Sequence, residues 1–88
     1  MWGTEVAMPA RTMLGRVKWF NAARGYGFVW RSDGQGAVFV HHTQIDEPGR
    51  RELKRGALVR FELEADARGT HAAHVRTISD PEPRRAEQ

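Results

Sequence analysis

One part of the sequence places aromatic and cationic side chains close together, in a combination suited to nucleobases and phosphate. Residues 15–29 read Gly-Arg-Val-Lys-Trp-Phe-Asn-Ala-Ala-Arg-Gly-Tyr-Gly-Phe-Val, and residues 37–42 read Ala-Val-Phe-Val-His-His. Aromatic rings offer flat faces on which unpaired bases stack, and neighbouring Arg and Lys neutralise phosphate. The same rings can instead cap the end of a core or cover a sheet face under a loop, so ring content alone leaves both interpretations open.

Five strand-like segments position these residues, and no segment has the pattern of a long helix. The predicted strands are residues 14–21, 26–31, 37–41, 58–64 and 72–78. The first two boundaries are marked by turn residues at 22–25 and 32–36, which are rich in glycine and small polar side chains. Five short antiparallel strands in one small chain favour a closed or nearly closed barrel, because closure removes unpaired strand edges.

Alternation along the strands predicts which side chains fill this barrel. Successive side chains point to opposite faces, so Tyr26, Phe28 and Trp30 share one face, as do Phe39 and His41. The expected interior is mainly aliphatic and consists of Val29, Val38, Val40, Val59, Phe61, Leu63 and Val75. Because these residues suffice for a core, we expect the rings to face outward. Alternation leaves Trp19 unresolved, since it has the parity of Val17, which we expect to be buried.

Gly25 and Gly27 flank Tyr26 within the predicted second strand and the turn before it. Glycine in a strand often marks the close approach of another backbone or of a ligand, and it also occurs at bulges and barrel corners. Both interpretations stay open from the sequence.

Composition sets wider bounds on the class of protein. The chain has 88 residues, a net charge of +3 and no cysteine, so we expect one small domain without disulfides or thiolate metal sites. Nearly all of the 14 cationic residues are arginine, which suits phosphate and base stacking. We find no apolar run of membrane-spanning length and no signal-peptide pattern, and therefore expect a cytoplasmic protein without a membrane partner.

Other functional classes have weaker support in the sequence. A metal site is disfavoured because the adjacent His41 and His42 point to opposite faces of a strand, and His71 and His74 are expected to be ordinary surface groups. No nucleophile–base pairing or phosphate loop is apparent, so we expect neither enzymatic activity nor a cofactor. A protein-interaction barrel remains the alternative, because exposed aromatic patches also mark protein interfaces.

Three motifs in order resemble the bacterial cold-shock domain. They are the Lys18-Trp19-Phe20-Asn21 segment, the Arg24-Gly25-Tyr26-Gly27-Phe28-Val29 segment and the Val38-Phe39-Val40-His41-His42 segment. The resemblance implies an all-β, five-stranded antiparallel OB-fold barrel at residues 13–78. It also implies a protein that binds single-stranded RNA and single-stranded DNA and acts as an RNA chaperone or a regulator of transcription or translation. Composition predicts a flexible extension at 1–12 and a disordered tail at 79–88, and we expect a monomer by default.

The resemblance also implies which residues contact nucleic acid. Carried over position by position, the base-stacking residues are Trp19, Tyr26, Phe28, Phe39 and His41. With neighbouring rings and cations added, the predicted nucleic-acid contacts also include Lys18, Phe20, Arg24, Trp30, His42, Arg50 and Arg68. Some of these depart from the family pattern. His42 and Arg50 stand where the family usually has aromatic residues, and Ala23 and Ala37 replace two carboxylates, which leaves base preference open. Trp30 is unusual for the family, and its face predicts an additional ring on the same surface.

Overall fold

The chain folds as a succession of short strands in the computed structural model, which describes residues 12–47, 49 and 52–81. The elements in chain order are β1 (Thr12–Asn21), β2 (Tyr26–Arg31), β3 (Ala37–His41), a 3-10 helix (His42–Gln44), β4 (Leu58–Asp66) and β5 (Gly69–Ser79). Residues 1–11 of the expected extension, most of the expected tail, and Arg50 lie outside the described residues. Within the described part, no helix is long and apolar enough to cross a membrane.

The five strands close into a barrel in the order β1-β2-β3-β5-β4, which confirms the predicted fold class. Neighbouring strands pair antiparallel around most of the circle. The closing pair is parallel: β3 meets β5 at Phe39 and His71, and the Ile45–Val75 bridge continues in the same direction. This closure brings the end of β3 against the start of β5.

The predicted bounds of β2 and β3 are confirmed, whereas β1, β4 and β5 are longer than predicted. β1 starts at Thr12, which pairs with Glu62, and β5 ends at Ser79, which pairs with Leu58. The paired strands thus extend one residue beyond the expected domain at each end. The β4–β5 hairpin is also tighter than expected, because pairing continues to Asp66 and Gly69.

The interior is filled by aliphatic side chains and one phenylalanine. Its members, each at most 5% exposed, are Val17, Val29, Val38, Val40, Ile45, Leu53, Ala57, Val59, Phe61, Ala72, Ala73 and Val75. Leu63, expected in this core, is half-buried and packs against it. Ile45, Leu53 and Ala57 come from the connection between β3 and β4, so this connection closes part of the barrel. The core needs none of the outward rings of β2 and β3, as the sequence predicted.

Candidate nucleic-acid interface

Six rings on the outside of β1, β2, β3 and the residue that follows β3 form a continuous surface, which we call the ring row: Trp19, Tyr26, Phe28, Phe39, His41 and His42. The ring centroids of Trp19 lie 5.8 Å from Tyr26 and 5.3 Å from Phe28. Phe39 lies 5.9 Å from Tyr26 and 5.8 Å from Phe28. These separations and the tilted or edge-on angles are those of favourable aromatic pairs.

The ring row continues from Phe39 through two imidazoles. The Phe39 and His41 centroids are 6.5 Å apart, and those of His41 and His42 are 4.5 Å apart. The prediction that His41 and His42 point to opposite faces is therefore wrong, because β3 ends at His41 and His42 begins the 3-10 helix. His41 Nδ1 accepts a hydrogen bond from the backbone N–H of Thr43 at 3.3 Å and lies 2.9 Å from Thr43 Oγ1. Because Nδ1 acts as an acceptor, the proton of neutral His41 is on Nε2, which leaves that nitrogen as a donor.

His42 is held over the turn that precedes β2. Its backbone N–H donates to the carbonyl of Gly25 at 2.8 Å. Gly25 has a φ of +78°, and a Cβ placed there would lie 2.6 Å from the His42 ring. Gly25 therefore supplies both the left-handed turn and the room for the imidazole.

Trp19 and Phe20 take opposite sides of β1. Trp19 is exposed and joins the ring row, whereas Phe20 is half-buried and packs against the core. Gly27 permits this arrangement, because a Cβ there would lie 2.2 Å from the Trp19 carbonyl oxygen and 2.7 Å from Phe20 Cα. The glycine thus marks the close approach of another backbone, one of the two interpretations that its position allowed. Phe20, named as a candidate from the sequence, lies apart from the other rings.

Trp30 lies on the expected outer face of β2 and is the most exposed aromatic residue in the described part of the chain. Lys18 Nζ lies 4.7 Å from its ring centroid in a cation–π contact. Within the described residues, Trp30 makes no ring–ring contact with the ring row. It therefore forms a separate aromatic position beside Phe28.

Two further candidate cations lie in turns beside the ring row, Arg24 near His42 and Arg68 near His41. Arg24 is exposed in the turn between β1 and β2, where its backbone N–H donates to Asn21 Oδ1 at 3.0 Å. Arg68 is exposed in the β4–β5 hairpin, where its backbone N–H donates to Asp66 Oδ1 at 2.8 Å. Arg68 lines a cleft together with Phe39 and His41, so the barrel closure brings this arginine to the ring row.

Sequence reasoning missed a group of acidic side chains around His74. Its Nδ1 lies 3.0 Å from Asp46 Oδ2, and this hydrogen bond raises the pKa of His74, with additional attraction from Asp46, Glu62 and Glu64. One ligand atom each from Glu62, Glu64 and His74 lie within 4.8 Å of one another. The sequence does not predict this cluster of acidic side chains, because Asp46 is distant from His74 in the sequence and no local pattern indicates that Asp46 contacts β5.

The comparisons with known proteins agree with the architecture. The model of the 'cold-shock' DNA-binding domain family matches residues 13–78. A cold shock-like protein of Thermotoga maritima is 44% identical over 66 residues, which cover 75% of this chain and 98% of that protein. The cold shock-like protein CspC of Bacillus cereus is 49% identical over 63 residues, 72% of this chain and 95% of that protein. A probable cold shock protein A of Mycolicibacterium smegmatis is 47% identical over 64 residues, which cover 73% of this chain and 96% of that protein. The chain therefore belongs to the cold-shock domain family and is a nucleic-acid-binding protein of that family.

Proposed function

We propose that the protein binds single-stranded RNA and DNA by stacking unpaired bases on the ring row. The observation that carries this proposal is that the rings form one continuous outer surface while aliphatic side chains fill the interior. The rings are therefore not needed for the core, although exposing them to water is unfavourable. A stack of bases covers such a surface and accepts any sequence, because every base has an aromatic face.

The expected energetics favour stacking over phosphate contacts. Each stacked base contributes about 1–3 kcal/mol of binding free energy. Each neutralised phosphate contributes roughly −0.7 to the slope of log K against log salt concentration for single strands. Lys18, Arg24 and Arg68 are the described candidates for phosphate contacts. We leave Phe20 out of the proposed stacking set because it is half-buried and packs against the core. Salt should therefore weaken binding only mildly, and loss of one ring should cost more than loss of one arginine.

The proposal extends to a role as an RNA chaperone in the cytoplasm. A duplex hides the faces of its bases, so the ring row has access to them only in open segments. Binding of open segments opposes the formation of misfolded RNA helices and requires no ATP. Regulation of transcription or translation follows in the same way, through the availability of single-stranded segments.

The test is a comparison of single-stranded and duplex oligonucleotides of one pyrimidine-rich sequence at two salt concentrations. We expect the single strand to bind much more tightly, to quench tryptophan fluorescence and to lose little affinity at the higher salt. Equal binding of the duplex, or a steep salt dependence without quenching, would contradict stacking. A protein-interaction barrel would leave the fluorescence unchanged on addition of oligonucleotide.

A further inference from the structure

A cleft opens at the end of the ring row where the barrel closes. It has a volume of about 390 Å³ and is lined on one side by Phe39 and His41. The other side consists of polar groups from the 3-10 helix and the β4–β5 hairpin, including Gln44, Asp66 and Arg68. The volume lies in the range of about 300–1,000 Å³ that is usual for small-molecule sites, so a single nucleobase fits. The Phe39–His71 pairing of β3 with β5 brings the two sides together.

We propose that this cleft is a subsite that selects guanine at one position of the bound strand. The inference rests on the proposed function, because it assigns a base preference to one end of the same single strand. A base entering the cleft lies beside Phe39 and His41 and presents its edge to the polar side. Base edges of single strands are read by such hydrogen bonds.

The Asp66 carboxylate supplies the discrimination between bases. Its Oδ1 accepts a hydrogen bond from the backbone N–H of Arg68 at 2.8 Å, which fixes the carboxylate against its own hairpin. His71 Nδ1 lies 3.9 Å from Oδ2, too far for a hydrogen bond. An ionised carboxylate accepts about four hydrogen bonds, so acceptor positions remain for a base.

Guanine is the base whose edge fits these acceptors. Its N1–H and N2–H₂ groups are two adjacent donors that match the two oxygens of a carboxylate. Uracil and thymine present one N–H between two carbonyl oxygens, which a carboxylate repels, and adenine and cytosine each present an amino group next to an acceptor nitrogen. Guanine also offers O6 and N7 as acceptors, which suit the guanidinium of Arg68.

The experiment uses the full chain and short oligodeoxythymidines in which one guanosine replaces thymidine at each position in turn. We expect one position at which guanosine raises affinity by about fivefold or more, the effect of a good bidentate contact. Inosine at that position lacks the N2 amino group and should lose most of the gain. Because inosine changes only the ligand, this arm does not depend on the folding of a variant.

The protein arm compares Asp66→Asn with Asp80→Asn. The first keeps an oxygen for the Arg68 N–H but places a donor where guanine also has donors, so the ratio of guanosine to thymidine affinity should fall to about one. The second removes the same charge at the far end of β5 and should leave that ratio unchanged. If the thymidine strand binds but no position prefers guanosine, or if Asp66→Asn keeps the preference, the guanine subsite is wrong and the stacking proposal stands. If the wild-type protein binds no single strand at all, both proposals fail.

Discussion

Val17 and Trp19 lie two residues apart in β1, yet Val17 is 2% exposed and Trp19 is 36% exposed. The ladder between β1 and β2 shifts register between them: Val17 pairs with Val29, Trp19 pairs with Phe28, and Lys18 is the extra residue. A β-bulge adds one residue to one strand, so each side chain after it points to the face opposite the one that alternation predicts. Because of the bulge at Lys18, Val17 points into the core, whereas Trp19 points outward and joins the ring row.

Replacement of Trp19 by alanine should weaken binding of a single-stranded oligonucleotide by about five- to hundredfold. The reason is that the ring contacts both Tyr26 and Phe28, and one lost stacking position costs about 1–3 kcal/mol. Anisotropy of a labelled pyrimidine-rich strand measures this effect without relying on tryptophan fluorescence. Leu14→Ala is the matched control, because Leu14 is also exposed on β1 but pairs with Arg60 of β4. Unchanged affinity of a folded Trp19→Ala variant would exclude stacking on this ring.

A methyl group at Gly27 should destabilise the barrel by about 1–3 kcal/mol or more, the usual cost of overpacking. The new Cβ would lie 2.2 Å from the Trp19 carbonyl oxygen and 2.7 Å from Phe20 Cα. Both contacts are with backbone, which cannot rotate away as a side chain does. Urea unfolding of Gly27→Ala measures the loss of stability.

Gly34→Ala is the control for this substitution. Gly34 has a φ of +79° and no atom within 4 Å of an added Cβ, so its replacement costs only the left-handed conformation, roughly 1–2 kcal/mol. We expect Gly27→Ala to be the more damaging of the two. The reverse order would mean that β1 and β2 separate easily and that the bulge is not fixed by this contact.

Those parts of the fold that depend on local pattern could be predicted from the sequence. β2 and β3 alternate strictly, turn residues flank β2 at both ends and precede β3, and the predicted bounds of both strands are confirmed. The same alternation correctly assigned Val29 and Val40 to the interior and Phe28 and Phe39 to the outside. In these strands valines occupy one face and rings the other, so alternation gives only one assignment of the faces.

Features that depend on contacts between distant segments could not be predicted. The connection after β3 has no period that distinguishes Ile45 and Leu53 as core residues, yet both are buried. The exposure of Trp19 depends on a bulge, which alternation does not indicate. The approach of Asp66 to Phe39 depends on the parallel pairing of β3 with β5. These two strands are separated by β4 in the sequence.

The Asp46–His74 contact should make stability depend on pH. The hydrogen bond to Asp46 and the nearby Glu62 and Glu64 raise the pKa of His74 above its ordinary value of 6.5. Protonated His74 is therefore favoured in the folded state, and its contribution to stability is complete below about pH 6.5 and is lost as the pH rises through the raised pKa. Because the side chain is largely exposed, the effect should be small.

A His74→Asn variant isolates this contribution. His74 has a φ of +53°, and asparagine is one of the residues that best tolerate this conformation. We expect the wild type to exceed the variant in Tm by more at about pH 5.5 than at about pH 8.5. A difference in Tm that is the same at both pH values would show that His74 does not gain a proton more readily in the folded protein.

Replacement of Trp30 by alanine should weaken binding of long but not of short oligonucleotides. Trp30 lies two residues beyond Phe28 on the same face of β2, a distance of about 6.6–6.8 Å, and its partner on β3 is the small residue Ala37. Lys18 Nζ above the ring attracts the phosphate of any nucleotide that reaches it. A strand too short to extend past Phe28 does not use this position.

Titration of Trp30→Ala with strands of about four and about eight nucleotides measures this difference. Only the longer strand should lose affinity, by no more than the contribution of one stacked base, about 1–3 kcal/mol. Trp30→Phe keeps a ring at this position and should restore most of the loss, which separates stacking from a change in folding. An equal loss with both strands would instead place Trp30 within the contact surface of the short strand, and no loss with either would remove it from the interface.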